Sequence, residues 1–271
     1  MDLQEFFTRH PKVALGFSGG VDSSYLLYAG RHYGADIKPY FIKGAFQPEF
    51  ERQDAVRLAE LVGADNLTIL SADILQVPQV VENPANRCYY CKQVVFGLLQ
   101  QQARADGYHV LIDGTNASDD IADRPGFKAL QEMQVLSPLR EAGLTKAMIR
   151  QLSKVAGLFT WDKPSYACLA TRVPTGTRLT AEVLHKIEQA EGKLMELGYR
   201  DFRVRVLGEA AKLQLQEEQW PKVCQERQQV LQVLKEYFAE AYLELRPEVE
   251  QKAVRLLKDV GGDIYPSSRA M

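Results

Sequence analysis

Two stretches of this chain carry side chains at spacings that suit chemistry. The first is Gly16-Phe17-Ser18-Gly19-Gly20-Val21-Asp22-Ser23-Ser24. An apolar run, Val13 to Phe17, precedes it and reads as a buried strand. Tyr25 to Ala29 follows and reads as the start of an apolar helix. A glycine-rich turn between strand and helix leaves backbone N–H groups free at a helix N-terminus, where the helix dipole also favours anions. The stretch therefore suits phosphate. Gly19 and Gly20 allow a close approach. Ser18, Ser23 and Ser24 add hydroxyl donors, and Asp22 can cap the helix or hold a cation that rides on the phosphates. The second stretch is Arg87-Cys88-Tyr89-Tyr90-Cys91-Lys92. Two thiols so spaced at the start of a helix are neighbours near a positive dipole end, which lowers thiol pKa values. A redox dithiol, a structural zinc site, an iron–sulfur site and two unrelated buried cysteines all fit that spacing. A closed zinc site wants four protein ligands, and the chain has no second Cys-x-x-Cys. Cys224, beside Val223 in a helical pattern, reads as a small core residue. Cys168 differs: it sits in the aperiodic run Lys163-Pro164-Ser165-Tyr166-Ala167-Cys168-Leu169-Ala170-Thr171-Arg172.

The elements that must position these groups alternate through the first half. Strands are expected at Val13–Phe17, Ile37–Ile42, Leu67–Leu70 and His109–Asp113. Helices are expected at Ser23–Tyr33, Pro48–Leu61 and Lys92–Ala105. Such alternation predicts an α/β domain with a parallel sheet and helices on both faces, and ligands at the carboxyl ends of the strands. Asp113-Gly114-Thr115-Asn116 leaves the fourth strand at such an end, so Asp113, Thr115 and Asn116 are candidate nucleotide contacts. Asp120 and Asp123 read as solvated loop residues. Arg124-Pro125-Gly126-Phe127 reads as a rigid turn holding an arginine near the same edge. Thr145 is an N-cap for a helix over Lys146–Ala156. The chain thus divides into residues 1–160, an interdomain segment 161–180 that carries Cys168, and a small α+β domain over 181–271. That last part reads as a helix at Ala181–Leu197, a hairpin of two alternating runs at 202–206 and 212–216, a helix from Glu218 to about Phe238, and a strand near Tyr242–Leu245. The tail from Pro247 begins with a helical pattern, and its last residues are expected to be poorly ordered. Arg203 and Arg205, two apart on a strand, point to one face; paired guanidinium groups bind phosphate, and alternating charge also marks a solvated strand face.

Size and composition fit an ordinary globular protein of one large or two modest domains: 271 residues, 46% hydrophobic and 25% charged. A net charge of −2 offers no bulk attraction to nucleic acid. The N-terminus lacks the apolar core of a signal peptide, and no apolar run approaches the length of a membrane span. Four unevenly spaced cysteines do not look like a disulfide framework. The expectation is a cytoplasmic protein with no membrane partner.

Ser18-Gly19-Gly20-Val21-Asp22-Ser23 is similar to the PP-loop, Ser-Gly-Gly-x-Asp-Ser, of the ATP pyrophosphatases, which split ATP between its α- and β-phosphates. Over about Lys12 to Leu245 the chain resembles the LarE-type sulfur transferases. The resemblance rests on Ser18–Ser23, Asp113-Gly114, Arg124-Pro125-Gly126, Cys168 to Arg172, Pro174-x-Gly176-Thr177 and Arg203-x-Arg205. It implies ATP and Mg2+ held by Ser18, Gly19, Gly20, Asp22, Ser23, Asp113, Gly114, Thr115 and Arg124. It implies adenylation of a pyridinium dicarboxylate mononucleotide, an intermediate of the nickel-pincer nucleotide cofactor, and its conversion to a thiocarboxylate. Arg203, Arg205 and Glu191 would hold the substrate phosphate. In simpler members one cysteine, matched by Cys168, surrenders its own sulfur; in a three-cysteine group, matched by Cys88, Cys91 and Cys168, a [4Fe-4S] cluster carries it. The resemblance also implies a homo-oligomer, a hexamer in the family. The tail after Leu245 departs from the family pattern. Rival readings are a tRNA thiolase of the same superfamily, an ammonia-using amide synthase, and a nucleotide sensor module. The thiolase would need a basic RNA-binding face or an added nucleic-acid domain, neither of which the sequence displays, and a lysine where Val21 stands; the amide synthase does not need the three cysteines, and the sensor leaves Cys168 unexplained.

Overall fold

A computed structural model of the chain describes residues 1–120 and 125–245. It divides into two compact units, Met1–His185 and Lys186–Met271. The first runs α1 (Leu3–Arg9), β1 (Lys12–Gly16), α2 (Val21–His32), β2 (Asp36–Lys43), α3 (Glu49–Leu61), β3 (Thr68–Ser71), α4 (Pro78–Val81), α5 (Arg87–Ala105), β4 (Leu111–Ile112), α6 (Pro125–Glu132), α7 (Pro138–Glu141) and α8 (Lys146–Val155). Short 3-10 turns follow at Phe159–Asp162 and Leu169–Arg172.

The four strands form one parallel sheet in the order β3-β2-β1-β4. Alternation along the strands sorts their side chains onto two faces. Val13, Leu15, Ile37, Phe41 and Ile112 join a core with α1, α2, α3 and α8. Ala14, Tyr40, Ile42 and Leu111 join a second core with Phe96, Leu99 and Ala103 of α5 and Leu130 of α6. The expected α/β class is therefore observed: a PP-loop-type parallel sheet with helices on both faces, and a small separate sheet near the C-terminus. The chain moves outward from β1 to β2 and β3, then returns to place β4 on the other side of β1. That reversal is a topological switch point, and both the glycine loop and Asp113–Asn116 leave their strands beside it.

The second unit follows α9 (Ala181–Glu196) with β5 (Arg203–Leu207), β6 (Ala210–Gln214), α10 (Trp220–Gln225), α11 (Arg227–Lys235) and β7 (Glu240–Leu243). β5 and β6 form the expected antiparallel hairpin, and β7 returns parallel to β6.

Several boundaries differ from the sequence reading. The helix expected from Glu218 to Phe238 is broken at Glu226, whose backbone leaves helical geometry at ψ 14° and whose carboxylate accepts the Tyr199 hydroxyl at 3.0 Å. Cys224, expected in the core, is exposed, because Val223 and not its neighbour turns inward. The fourth strand is only two residues long, and α5 begins five residues early, at Arg87, so both Cys88 and Cys91 lie within it. α1 was not expected; Asp2 and Glu5 close a capping box at its start. Asp123, Arg124 and the tail from Arg246 lie outside the described residues.

Candidate active site

The loop after β1 is held mostly by itself. Gly19 takes φ +67°, and a Cβ there would lie 3.1 Å from the Ala55 backbone nitrogen, so both conformation and space favour glycine. The Ser23 hydroxyl donates to Gly20 O at 3.2 Å, accepts from Ser18 N at 3.3 Å, and lies 3.1 Å from Ser18 Oγ. Gly20 is the N-cap of α2, and no side chain caps that helix. Its first-turn N–H groups thus keep their capacity for an anion. Asp22, which could have capped the helix, turns elsewhere: it pairs with Lys146 and accepts from Asn116 Nδ2 at 3.3 Å. Burial pushes its carboxyl above the usual range, and Lys146 opposes the rise.

The β4 loop meets this turn closely. A Cβ on Gly114 would lie 3.0 Å from Ser23 N. Asp113 is buried and spends its carboxylate locally, accepting from Ser137 Oγ at 2.7 Å, Thr115 N at 3.2 Å and Thr115 Oγ1 at 2.5 Å. Asn116 N donates to Asp119 at 3.0 Å. These bonds shape the loop that carries Gly114 and Thr115 to α2.

The thiols line the same cavity, about 400 Å³ in volume, as the loop: Ser18 and Cys168 both face it. Cys88 and Cys91 lie on the first turns of α5. Cys168 precedes the 3-10 turn Leu169–Arg172, which is pinned where Leu169 N donates to Phe46 O at 3.0 Å. The Arg87 guanidinium touches both sides: its Nη2 lies 3.9 Å from Cys88 Sγ and 4.0 Å from Cys168 Sγ. Burial pushes the Cys91 thiol up to about 12, with the Cys168 and Cys88 thiols adding to the rise. Burial raises Cys168 as well, and Arg87 opposes it. All three are free cysteines. Among the described residues no group of three or more His, Cys, Asp or Glu side chains is gathered as one metal ion requires.

Three charged residues join the site that sequence reasoning passed over. Lys146 holds Asp22. Lys163, from the thiol-bearing segment, donates to Gly19 O at 3.2 Å and pairs with Asp54 at 2.6 Å. Glu51 lines the cavity from α3, and burial pushes its carboxyl up to about 7 against Lys163 and Arg172. Only Lys163 had a local signal, as the first residue of the segment quoted around Cys168.

In the second unit, Glu191 is buried and accepts from Val204 N at 2.8 Å. Arg203 is also buried; its Nη1 donates to Phe202 O at 2.6 Å and lies 3.6 Å from Asp201. Arg205 is half-buried and donates to Gln214. The pair is therefore not a solvated strand face.

No family model matches the chain. Among curated proteins, it is 35% identical over 228 residues to an uncharacterized protein of Synechocystis, covering 83% of this chain and 84% of that one. It is 27% identical over 236 residues to an uncharacterized protein of Methanocaldococcus jannaschii, covering 87% and 89%. To the pyridinium-3,5-bisthiocarboxylic acid mononucleotide synthase of Lactiplantibacillus plantarum it is 31% identical over 208 residues, covering 76% of this chain and 75% of the synthase. A relationship of that extent, with the phosphate loop and Cys168 on one cavity, makes this chain a member of the LarE family.

Proposed function

We propose that the protein is an ATP-dependent, AMP-forming sulfur transferase that converts a carboxylate of a pyridinium dicarboxylate mononucleotide into a thiocarboxylate, in nickel-pincer nucleotide biosynthesis. The observation that carries the reading is the shared cavity: a phosphate-type loop and three thiols line the same space. A carboxylate does not accept a thiolate directly, because oxide is too poor a leaving group. Adenylation changes that. The carboxylate oxygen attacks the α-phosphorus and pyrophosphate departs; sulfur then attacks the acyl carbon and AMP departs.

In this reading Ser18, Gly19, Gly20 and Ser23 bind the leaving pyrophosphate through N–H and hydroxyl donors, and Gly114 and Thr115 close the other side. Asp22 would hold Mg2+, which supplies neutralisation of the phosphate charge; a half-buried carboxylate on a residue lining the cavity suits a hard cation. Lys146 orients that carboxylate. Arg203 and Arg205 bind the substrate phosphate end, and Glu191, whose carboxylate accepts from Val204 N, holds the strand that carries them. Cys168 supplies the nucleophile. If its own sulfur is consumed, the acyl–sulfur bond forms, a proton leaves its Cα, and the Cβ–S bond breaks to leave dehydroalanine. A donor set of three thiols without a fourth also suits a [4Fe-4S] cluster, held by Cys88, Cys91 and Cys168, which would supply exchangeable sulfide.

The test is anaerobic incubation of reduced protein with ATP, Mg2+ and the mononucleotide. The expected products are AMP, pyrophosphate and a mononucleotide in which one oxygen is replaced by sulfur. ADP as the substrate-dependent product would overturn the reading. The mass of the Cys168 peptide, together with iron and sulfide content, then assigns the sulfur source: loss of hydrogen sulfide from Cys168 marks the sacrificial route.

A further inference from the structure

Arg87 is only 7% exposed, yet among the described residues it meets no carboxylate. Its Nη1 donates to Asn83 Oδ1 at 2.6 Å and to Ala170 O at 3.0 Å. Its Nη2 faces the two thiols of Cys88 and Cys168. The Phe46 ring, 5.9 Å from the guanidinium carbon, completes its surroundings, and a buried guanidinium among neutral oxygens, sulfur and one ring is costly unless a negative charge comes to it.

The residue that steers Arg87 is itself tightly held. Asn83 is 2% exposed and takes φ +52°, a left-handed conformation that persists in non-glycine residues only where the surroundings over-determine it. Its Nδ2 donates to Pro174 O at 2.9 Å, and its backbone oxygen accepts from Gly176 N at 2.8 Å. One turn away, Leu179 N donates to Val81 O at 2.8 Å. The segment that follows Cys168 is thereby stapled to the turn that precedes α5. Nothing local brings these groups together, since Arg87 and Cys168 are 81 positions apart.

The geometry points to Arg87 as a positioning residue: locked by Asn83, it gathers Cys88 and Cys168 onto one cation and remains there as the counter-charge for a sulfur anion, either thiolate or bound sulfide. Its purpose rests on the sulfur-transfer reading; its geometry does not.

The test uses the full chain, reduced and treated with chelator, and the short dithiol cross-linker dibromobimane, with linked peptides identified by mass. Cys88 and Cys91 share one helix, so their cross-link is the internal standard. In the parent both the Cys88–Cys91 and Cys88–Cys168 links form. Arg87→Met is expected to lower the second relative to the first at least fivefold. Asn83→Gly, which keeps the left-handed turn but removes the side chain, is expected to lower it at least twofold, and it answers the question should Arg87→Met fail to fold. Methylguanidinium added to Arg87→Ala is expected to restore at least half of the lost yield and neutral methylurea, of the same shape, is not, a contrast that a mere packing role would not give. An unchanged ratio in folded Arg87→Met overturns the gathering role, and no recovery with methylguanidinium overturns the counter-charge. Parental cross-linking without any sulfur transfer would overturn the proposed function and leave Arg87's role standing.

Discussion

Residues 18–23 make many of their bonds with one another, whereas Cys88, Cys91 and Cys168 are gathered by residues spread from 83 to 176. Both regions face one cavity. The loop is largely a local object: two glycines, two serines and a helix start shape it, and Ala55, Gly114 and Lys163 close against it. The thiol site is a tertiary object, made by a buried arginine, a left-handed asparagine and a 3-10 turn docked on Phe46. The two regions thus rest on largely different residues, with Lys163 of the thiol-bearing segment bonded to Gly19 O, so a lesion in the loop is expected to spare most of the thiol geometry.

The largest effect should follow from breaking the local object. In Gly19→Ala a methyl group meets the Ala55 backbone while φ stays near +67°. Strain of this type costs on the order of 1–3 kcal/mol, and the loop can relieve it only by moving. ATP affinity, read by calorimetry, is expected to fall at least tenfold, with the Cys88–Cys168 cross-link at its parental yield. A parallel fall in cross-linking would break the independence of the two regions.

The second unit sharpens the contrast between support and contact. Arg203 is buried on Phe202 O and Asp201, while Arg205 is half-buried. Arg205→Ala should weaken binding of a phosphorylated mononucleotide by about 1.5–3 kcal/mol, the scale of a lost charge-assisted bond, and leave ATP affinity alone. Arg203→Ala should add a loss of thermal stability. Parental affinity for the mononucleotide in both variants would return the pair to a purely structural role.

The smallest expected effect concerns Glu51, which lies near charges of both regions, including Lys163 and Arg172. Its folded carboxyl is raised from an ordinary 4.5 to about 7, chiefly by burial. The folded chain thus holds this proton more tightly than the unfolded one. Its contribution to stability is full below about pH 4.5, falls as pH rises, and is gone above about 7. Glu51→Gln is expected to remove that slope and to stabilise the fold at pH 8 by on the order of 1–2 kcal/mol. Denaturant midpoints at pH 5 and pH 8 check it; the same pH dependence in parent and variant would sink it.

What could be read from the sequence follows the same division. The Ser18–Ser23 loop, the strand–helix alternation, the Thr145 cap and the β5–β6 hairpin are written in contiguous residues, and each is observed. Lys146, Glu51 and the role of Arg87 were invisible because their partners lie far away in the chain: Lys146 and Asp22 are 124 positions apart. The capping box at Asp2 and Glu5 was a readable signal for α1 that the apolar pattern alone did not convey. Cys224 misled because one residue's turn about a helix exchanges inside for outside.

The sequence distance between Arg87 and Cys168 also has a meaning in time. A chain emerges from the ribosome at about 5–20 residues per second, so Cys88 and Cys91 exist for roughly 4–16 s before their distant companion has been synthesised at all. The bonds within Ser18–Ser23 can form almost at once, although Asp22 waits for Asn116 and Lys146 and Gly19 for Lys163; the nascent dithiol has none of the segment that will pack against it. During that interval it is open to oxidants and stray metals, and production of the enzyme with intact thiols depends on the redox state around the growing chain.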